Sequence, residues 1–185
     1  MLRRLPVARL PFARRFAVQT GSSMLSEAKL QPARTWDQAV ADSFKAASMQ
    51  EIFAGKKVVL FAVPGAFTGV CSQGHVPSYL QRLEQLKAKG VDSVACVSVN
   101  DPYTMAAWAK QVDPSGALSF YGDADGSFTE FVGCGVDLKV AGLGPGKRSN
   151  RYSMLVEDGK VTQMFVEEGA GDLKVSDGET MLKSL

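Results

Sequence analysis

The chain has 185 residues, 45% of them hydrophobic and 22% charged, enough for one compact domain with a core and too few for two full ones. Five of its 21 basic residues, Arg3, Arg4, Arg9, Arg14 and Arg15, fall in the first 25 positions, which hold no acid; the remainder carries 16 basic residues against 19 acidic, a net of −3. That mildly acidic body has no basic stripe to neutralise nucleic-acid phosphates and no run of about 18 apolar residues to cross a membrane.

In chain order, residues 1–25 come first. Arginines without acids, interspersed with Leu, Val and Phe, have the composition of a mitochondrial presequence; a plain basic tail is the alternative. A secretory signal would need an uninterrupted apolar stretch of about 7–15 residues, which this segment lacks. The expected layout is a presequence over 1–25, cleaved between Arg15 and Leu25, and a domain over 26–185 in the mitochondrial matrix. The three cysteines, Cys71, Cys96 and Cys134, make an odd count and a poor disulfide framework, as suits a reducing compartment. One histidine and no CxxC pair speak against a structural zinc site.

Residues 35–53 read as a mixed region with helical pieces. Lys57–Val63 (KVVLFAV) is an apolar run of strand length ending at Pro-Gly, the pattern of a buried strand. Val70–Lys89 reads as a helix, with Leu80, Leu83 and Leu86 on one face and Gly90 as the stop; Pro77 should kink or split it within its first two turns. Ser93–Val99 (SVACVSV) is a second buried strand. Asp101 is a good N-cap and Pro102 a good first residue for a helix running to Lys110. A short strand over Leu118–Tyr121, a short helix over Asp125–Val132 and a loop over 142–146 follow. Arg151–Val156 and Lys160–Glu167, joined by Glu157-Asp158-Gly159, read as a β-hairpin, and Asp177–Lys183 as a last helix. Strands linked by helices imply parallel pairing, and the hairpin adds an antiparallel pair. The expected fold is therefore α/β, a central mixed sheet flanked by helices on the thioredoxin-like plan.

The informative stretch is Pro64-Gly65-Ala66-Phe67-Thr68-Gly69-Val70-Cys71-Ser72, where a buried strand ends and a helix begins. Cys71 falls in the first helical turn, where unpaired N–H groups and the macrodipole favour negative charge, and the thiolate is the nucleophilic form. Thr68, three residues earlier, occupies the place of the other cysteine of a CxxC redox pair and offers a hydroxyl instead. Pro64 would shield the site and brings no N–H that needs a partner. His75, four residues on, shares the face of Cys71, where packing or hydrogen bonding is a commoner role than direct chemistry. The glycine-rich 142–146 loop lacks the Lys-Ser of a phosphate-binding loop. Tyr103 and Trp108 read as packing residues.

PGAFTGVCSQGHVPSY resembles the peroxiredoxin pattern PxxxTxxC, and its Cys-Ser-x-x-His-x-Pro-x-Tyr continuation is similar to the type II subfamily. The likeness extends through SVNDPYTMAAWAK, FYGDADGSF and RYSMLVEDGKV, from about Ala33 to the C-terminus; with the presequence it resembles the plant mitochondrial class. The resemblance implies a thioredoxin-like fold and a thiol peroxidase without metal or prosthetic group. It implies that Cys71 attacks the peroxide and becomes a sulfenic acid, that Thr68 orients thiolate and peroxide, and that Arg151 stabilises the developing charge. Arg148 lies nearby, but its spacing to RYSM does not match. Cys96 matches the resolving cysteine of many type II members. The C-terminal cysteine of animal relatives has no counterpart in Leu173–Ser176, and a one-cysteine cycle served by glutathione or glutaredoxin is the alternative. Cys134 matches nothing in the family. The implied substrates are hydrogen peroxide and small alkyl hydroperoxides, the implied reductants glutaredoxin with glutathione, or thioredoxin, and the implied assembly a homodimer. A peroxide sensor relaying oxidation to a partner protein and a non-enzymatic holdase are the rival functions.

Overall fold

The computed structural model describes residues 17–144 and 146–185. Residues 1–16 of the expected presequence and Pro145 of the 142–146 loop lie outside the described residues. The chain runs β1 (Lys29–Pro32), α1 (Trp36–Ala41), β2 (Ala47–Ser48), α2 (Met49–Phe53), β3 (Lys57–Val63), a π-helical turn over Cys71–His75 that leads into α3 (Val76–Ala88), and β4 (Ser93–Ser98). It continues with α4 (Pro102–Val112), β5 (Ser119–Gly122), α5 (Ser127–Val132), β6 (Gly135–Asp137), β7 (Lys147–Ser149), β8 (Tyr152–Glu157), β9 (Lys160–Val166) and α6 (Gly178–Ser184).

Among the described residues, seven strands form one mixed sheet in the order β2-β1-β5-β4-β3-β8-β9. β3, β4 and β5 pair in parallel through the crossover helices α3 and α4. β8 and β9 add the expected antiparallel hairpin, with Asp158 (φ 47°) and Gly159 (φ 75°) both left-handed in its tight turn. Alternation along the strands divides the core in two. Val58, Leu60 and Ala62 of β3 face α2 and α5 in one layer, while Val59, Phe61 and Val63 face α3, α4 and α6 in the other. Covered on both faces, β3 reads as a continuous apolar run rather than an alternating one. No helix among the described residues is long and apolar enough to cross a membrane.

Caps account for the helix starts. Thr35 with Gln38 and Ser48 with Glu51 form capping boxes ahead of α1 and α2, and Asp101 and Asp177 accept two amides each at the heads of α4 and α6. α6 lies close on α3 because Gly178 has no side chain: a Cβ there would sit 2.5 Å from the Ser78 carbonyl oxygen.

Several elements differ from expectation. The long helix begins with a wide turn closed by Val76 N–H onto Cys71 O, five residues back, so the irregularity precedes Pro77, which sits comfortably in the first turn of α3. Arg151 precedes β8 rather than opening it. β1, β2 and the β6–β7 ribbon were not expected; they are two to four residues long, and the ribbon carries Asp137, Lys147 and Arg148, so no apolar period marks them. The packed chain also begins earlier than residue 26. Val18 and Met24 are buried, Met24 N–H donates to Gly159 O, and Val161 N–H donates to Ser22 O.

Candidate active site

The site forms where β3 hands over to the π turn. Buried Pro64 ends the strand. The next loop is pinned by Ala66 N–H donating to Asn100 Oδ1 (3.0 Å), an oxygen that also accepts from Ser98 Oγ (2.7 Å). Phe67 takes a left-handed conformation (φ 63°), which costs a bulky residue about 1–2 kcal/mol and fits the strained turns common at reactive sites. The Thr68 hydroxyl donates to Gly65 O (2.9 Å) rather than to the sulfur, which leaves its oxygen lone pairs as acceptors. Gly69 and Val70 are already helical, and Cys71 follows, 1% exposed.

Arg151 reaches the sulfur from the opposite side of the pocket. Its side chain is buried, and Nη2 lies 3.5 Å from Cys71 Sγ while also donating to Ala170 O (3.1 Å). Its Nη1 meets His75 Nδ1 at 3.1 Å. His75 Nε2 lies 2.9 Å from Ser176 O, which can only accept, so Nε2 carries the proton and Nδ1 accepts from the arginine. Burial, then the Arg151 charge, pushes the His75 pKa down to about 3, so the ring is neutral at physiological pH. Phe61 flanks the ring (centroids 4.7 Å apart) and stacks on Tyr79, whose hydroxyl also donates to Ser176 O (2.8 Å). Trp108 Nε1 donates to Ser72 Oγ (3.0 Å), tying α4 to the residue after the cysteine.

The fold thus brings together Cys71, Arg151 and His75, with Thr68 and Pro64 in the approach loop. Arg148 stands beside the same loop: it donates to Val99 O, its other terminal nitrogen lies by Gly65, and burial lowers its pKa while the Cys71 charge raises it. Cys96 shares the apolar layer of Cys71 but stands on β4 opposite Phe61, wholly buried, and no disulfide joins the two. Burial pushes the Cys96 thiol up, the neighbouring Cys71 adds to this, and Arg151 opposes it. Cys134 is buried on the other face of the sheet, in the layer of α2 and α5. Sequence reasoning missed Ser176, Ala170 and Glu167. Two of these act through backbone carbonyls, which leave no mark on residue choice, and the third is an ordinary-looking acid at a strand end.

A thioredoxin-like sheet that presents a helix-start cysteine to a buried arginine defines a class of thiol-based oxidoreductases. The Redoxin family model matches residues 19–182. Peroxiredoxin-2F, mitochondrial, of Oryza sativa subsp. japonica is 50% identical over 172 residues, covering 91% of this chain and 86% of the relative. The Arabidopsis thaliana protein of the same name is 52% identical over 153 residues, covering 83% and 75%. Reduced Prx3 from Vibrio vulnificus in complex with hydrogen peroxide superposes with a TM-score of 0.78 at 41% identity, covering 91% of this chain and 99% of that one. The chain belongs to the redoxin family and, within it, to the type II peroxiredoxins of the thioredoxin-like superfamily. It is accordingly a thiol peroxidase, an oxidoreductase that reduces peroxide with electrons from thiols.

Proposed function

We propose that Cys71 is the peroxidatic nucleophile and that hydrogen peroxide and small alkyl hydroperoxides are its substrates. The thiolate attacks one peroxide oxygen; the S–O bond forms as the O–O bond breaks. The departing oxygen leaves as hydroxide or alkoxide, takes a proton to give water or alcohol, and the enzyme is left as a sulfenic acid. The observation that carries this reading is the Arg151 guanidinium, 3.5 Å from the sulfur and hydrogen-bonded otherwise to neutral groups. Its charge is available to the thiolate and then to the oxygen on which negative charge develops. Thr68, already committed as a donor to Gly65 O, would accept from the peroxide O–H and orient it. Pro64 shields the approach.

Regeneration requires two thiol equivalents. Cys96 is the candidate resolving thiol, in the same apolar layer, but it lies under the helix. No disulfide joins the two buried thiols in this fold, and a Cys71–Cys96 bond would form by opening of the Cys71–His75 turn. Otherwise glutathione, delivered with glutaredoxin, or thioredoxin attacks the sulfenic acid from outside. We further propose a homodimer in the mitochondrial matrix. The names of two relatives support the compartment, as do the five arginines of the first 25 residues. Because Val18 and Met24 belong to the core, cleavage of the presequence upstream of Val18 is the favoured position.

The direct test is kinetic. Cys71→Ser should have no peroxidase activity. Arg151→Ala should lower the second-order rate of oxidation by hydrogen peroxide about 10²–10³-fold, the usual scale for removing one preorganised charge-stabilising group. Activity retained by Cys71→Ser would end the reading, and an unchanged rate in Arg151→Ala would remove the arginine from it.

A further inference from the structure

Glu167 follows β9 and is 3% exposed. Its Oε1 accepts the amide N–H groups of Lys174 (2.8 Å), Val175 (2.9 Å) and Ser176 (2.9 Å) and the Ser176 hydroxyl (2.8 Å). Three consecutive amides aimed at one oxygen fix the path of the loop before α6. Burial pushes the carboxyl up, but the donors at Val175, Lys174 and Ser176 outweigh it and hold the group below its usual value. The backbone of the same residue grips the other half of the site. Its N–H donates to Arg151 O (3.0 Å), and its carbonyl accepts from Asn150 Nδ2 (2.8 Å).

From the loop, bonds run back toward the sulfur. Ser176 O accepts from His75 Nε2, His75 Nδ1 accepts from Arg151 Nη1, and Arg151 Nη2 reaches Cys71 Sγ. The hydrogen bonds therefore close a ring through Glu167, Ser176, His75, Arg151 and back to Glu167. Among the described residues, the guanidinium hydrogen-bonds to the His75 ring, the Ala170 carbonyl and the sulfur, and to no carboxylate. A carboxylate bonded directly to Arg151 would orient it equally well, but would neutralise its field at the sulfur. The ring supplies the orientation and keeps the acid at a distance.

We infer that Glu167 is a positioning residue for the peroxide step, acting through the Ser176 carbonyl and the His75 ring to hold Arg151 against Cys71 without pairing with it. The inference rests on the role proposed for Arg151.

The test compares three variants of the full domain. Glu167→Gln keeps an acceptor oxygen at full reach, Glu167→Asp keeps the charge but is one methylene short, and Glu167→Ala removes both. Oxidation by hydrogen peroxide should stay within about threefold of wild type in the first and fall at least about tenfold in the other two, since misplacement of about 1 Å is enough for such losses. His75 is the only histidine, so ¹⁵N-histidine labelling reports one ring. Wild type and Glu167→Gln should hold a single Nε2–H tautomer with a protected N–H; Glu167→Asp and Glu167→Ala should show an exchanging ring. In an Arg151→Ala background, Glu167→Asp should slow oxidation no further. Should Glu167→Ala not fold, the Asp and Gln variants decide alone. Folded Glu167→Asp with wild-type rate and tautomer, or a fast Asp variant beside a slow Gln variant, would overturn the inference while Arg151→Ala remained slow. A fast Arg151→Ala would instead overturn the assignment of the arginine, and this inference with it.

Discussion

At the residue scale, the electrostatics of the pocket depend on a histidine that burial and Arg151 keep neutral at physiological pH. His75 titrates at about 3 in the fold against an ordinary value of 6.5, so between those values the unfolded chain binds the extra proton and the folded one does not. Stability contributed at this position is therefore lost as pH falls below 6.5, by about 1.4 kcal/mol per pH unit. Denaturant melts between pH 4 and 6 should show that slope in wild type and a flatter one in His75→Asn; parallel curves would mean that the ring is not buried neutral. Glu167 acts in the same sense at lower pH, because its depressed carboxyl accepts the loop donors less strongly once it is protonated. Cys71 and Arg151 were legible because the PxxxTxxC and RYSM stretches bracket them. His75 was legible only as a neighbour on one helix face. Its partners were not, since carbonyls of Ser176 and Ala170 are set by the path of residues 167–176 and carry no side-chain signature.

At the scale of elements, the sequence speaks where an element is long or buried. β3 and β4 stand out as apolar runs, α4 by its capping Asp101 and Pro102, and the β8–β9 hairpin by Asp158-Gly159. β1 and β2 are silent because strands of four and two residues are too short to show a period, and the β6–β7 ribbon because it is largely polar and exposed. Pro77 signalled an irregularity in the long helix, and the structure shows its form as a π turn over Cys71–His75, the segment from which Cys71 and His75 both reach Arg151. The α3–α6 contact carries a prediction of its own. Gly178→Ala would drive a Cβ into the Ser78 carbonyl and displace the residues that hold Ser176. Its cost should be about 1–3 kcal/mol in thermal or denaturant unfolding, with slower oxidation of Cys71. Unchanged stability would mean that the helices separate freely.

At the scale of the whole molecule, the two core layers divide the labour. The layer under α3, α4 and α6 contains Cys71 and Cys96; the layer under α2 and α5 contains Cys134 and receives the N-terminal segment. Composition alone ran that segment together with the arginine-rich region, because residues 16–25 carry no acid to mark a boundary. Comparing chains that lack residues 1–16 with chains that lack residues 1–25 isolates the contribution of residues 17–25. Removing residues 1–25 exposes the sites of two buried side chains, at about 1.5–3 kcal/mol each, and breaks the bonds to Gly159 and Val161, so it should destabilise the domain by several kcal/mol. Equal stability of the two truncations would contradict the packing of residues 18–24. Either truncation should leave a fluorescent fusion in the cytosol. The most direct measurement on the central claim is mass mapping of the three cysteines after one equivalent of hydrogen peroxide, with Cys96→Ser beside wild type. Oxidation should appear at Cys71, as a disulfide with Cys96 or as a sulfenic acid when Cys96 is replaced or unused. An unmodified Cys71 with oxygen on Cys96 or Cys134 would contradict its role as the nucleophile.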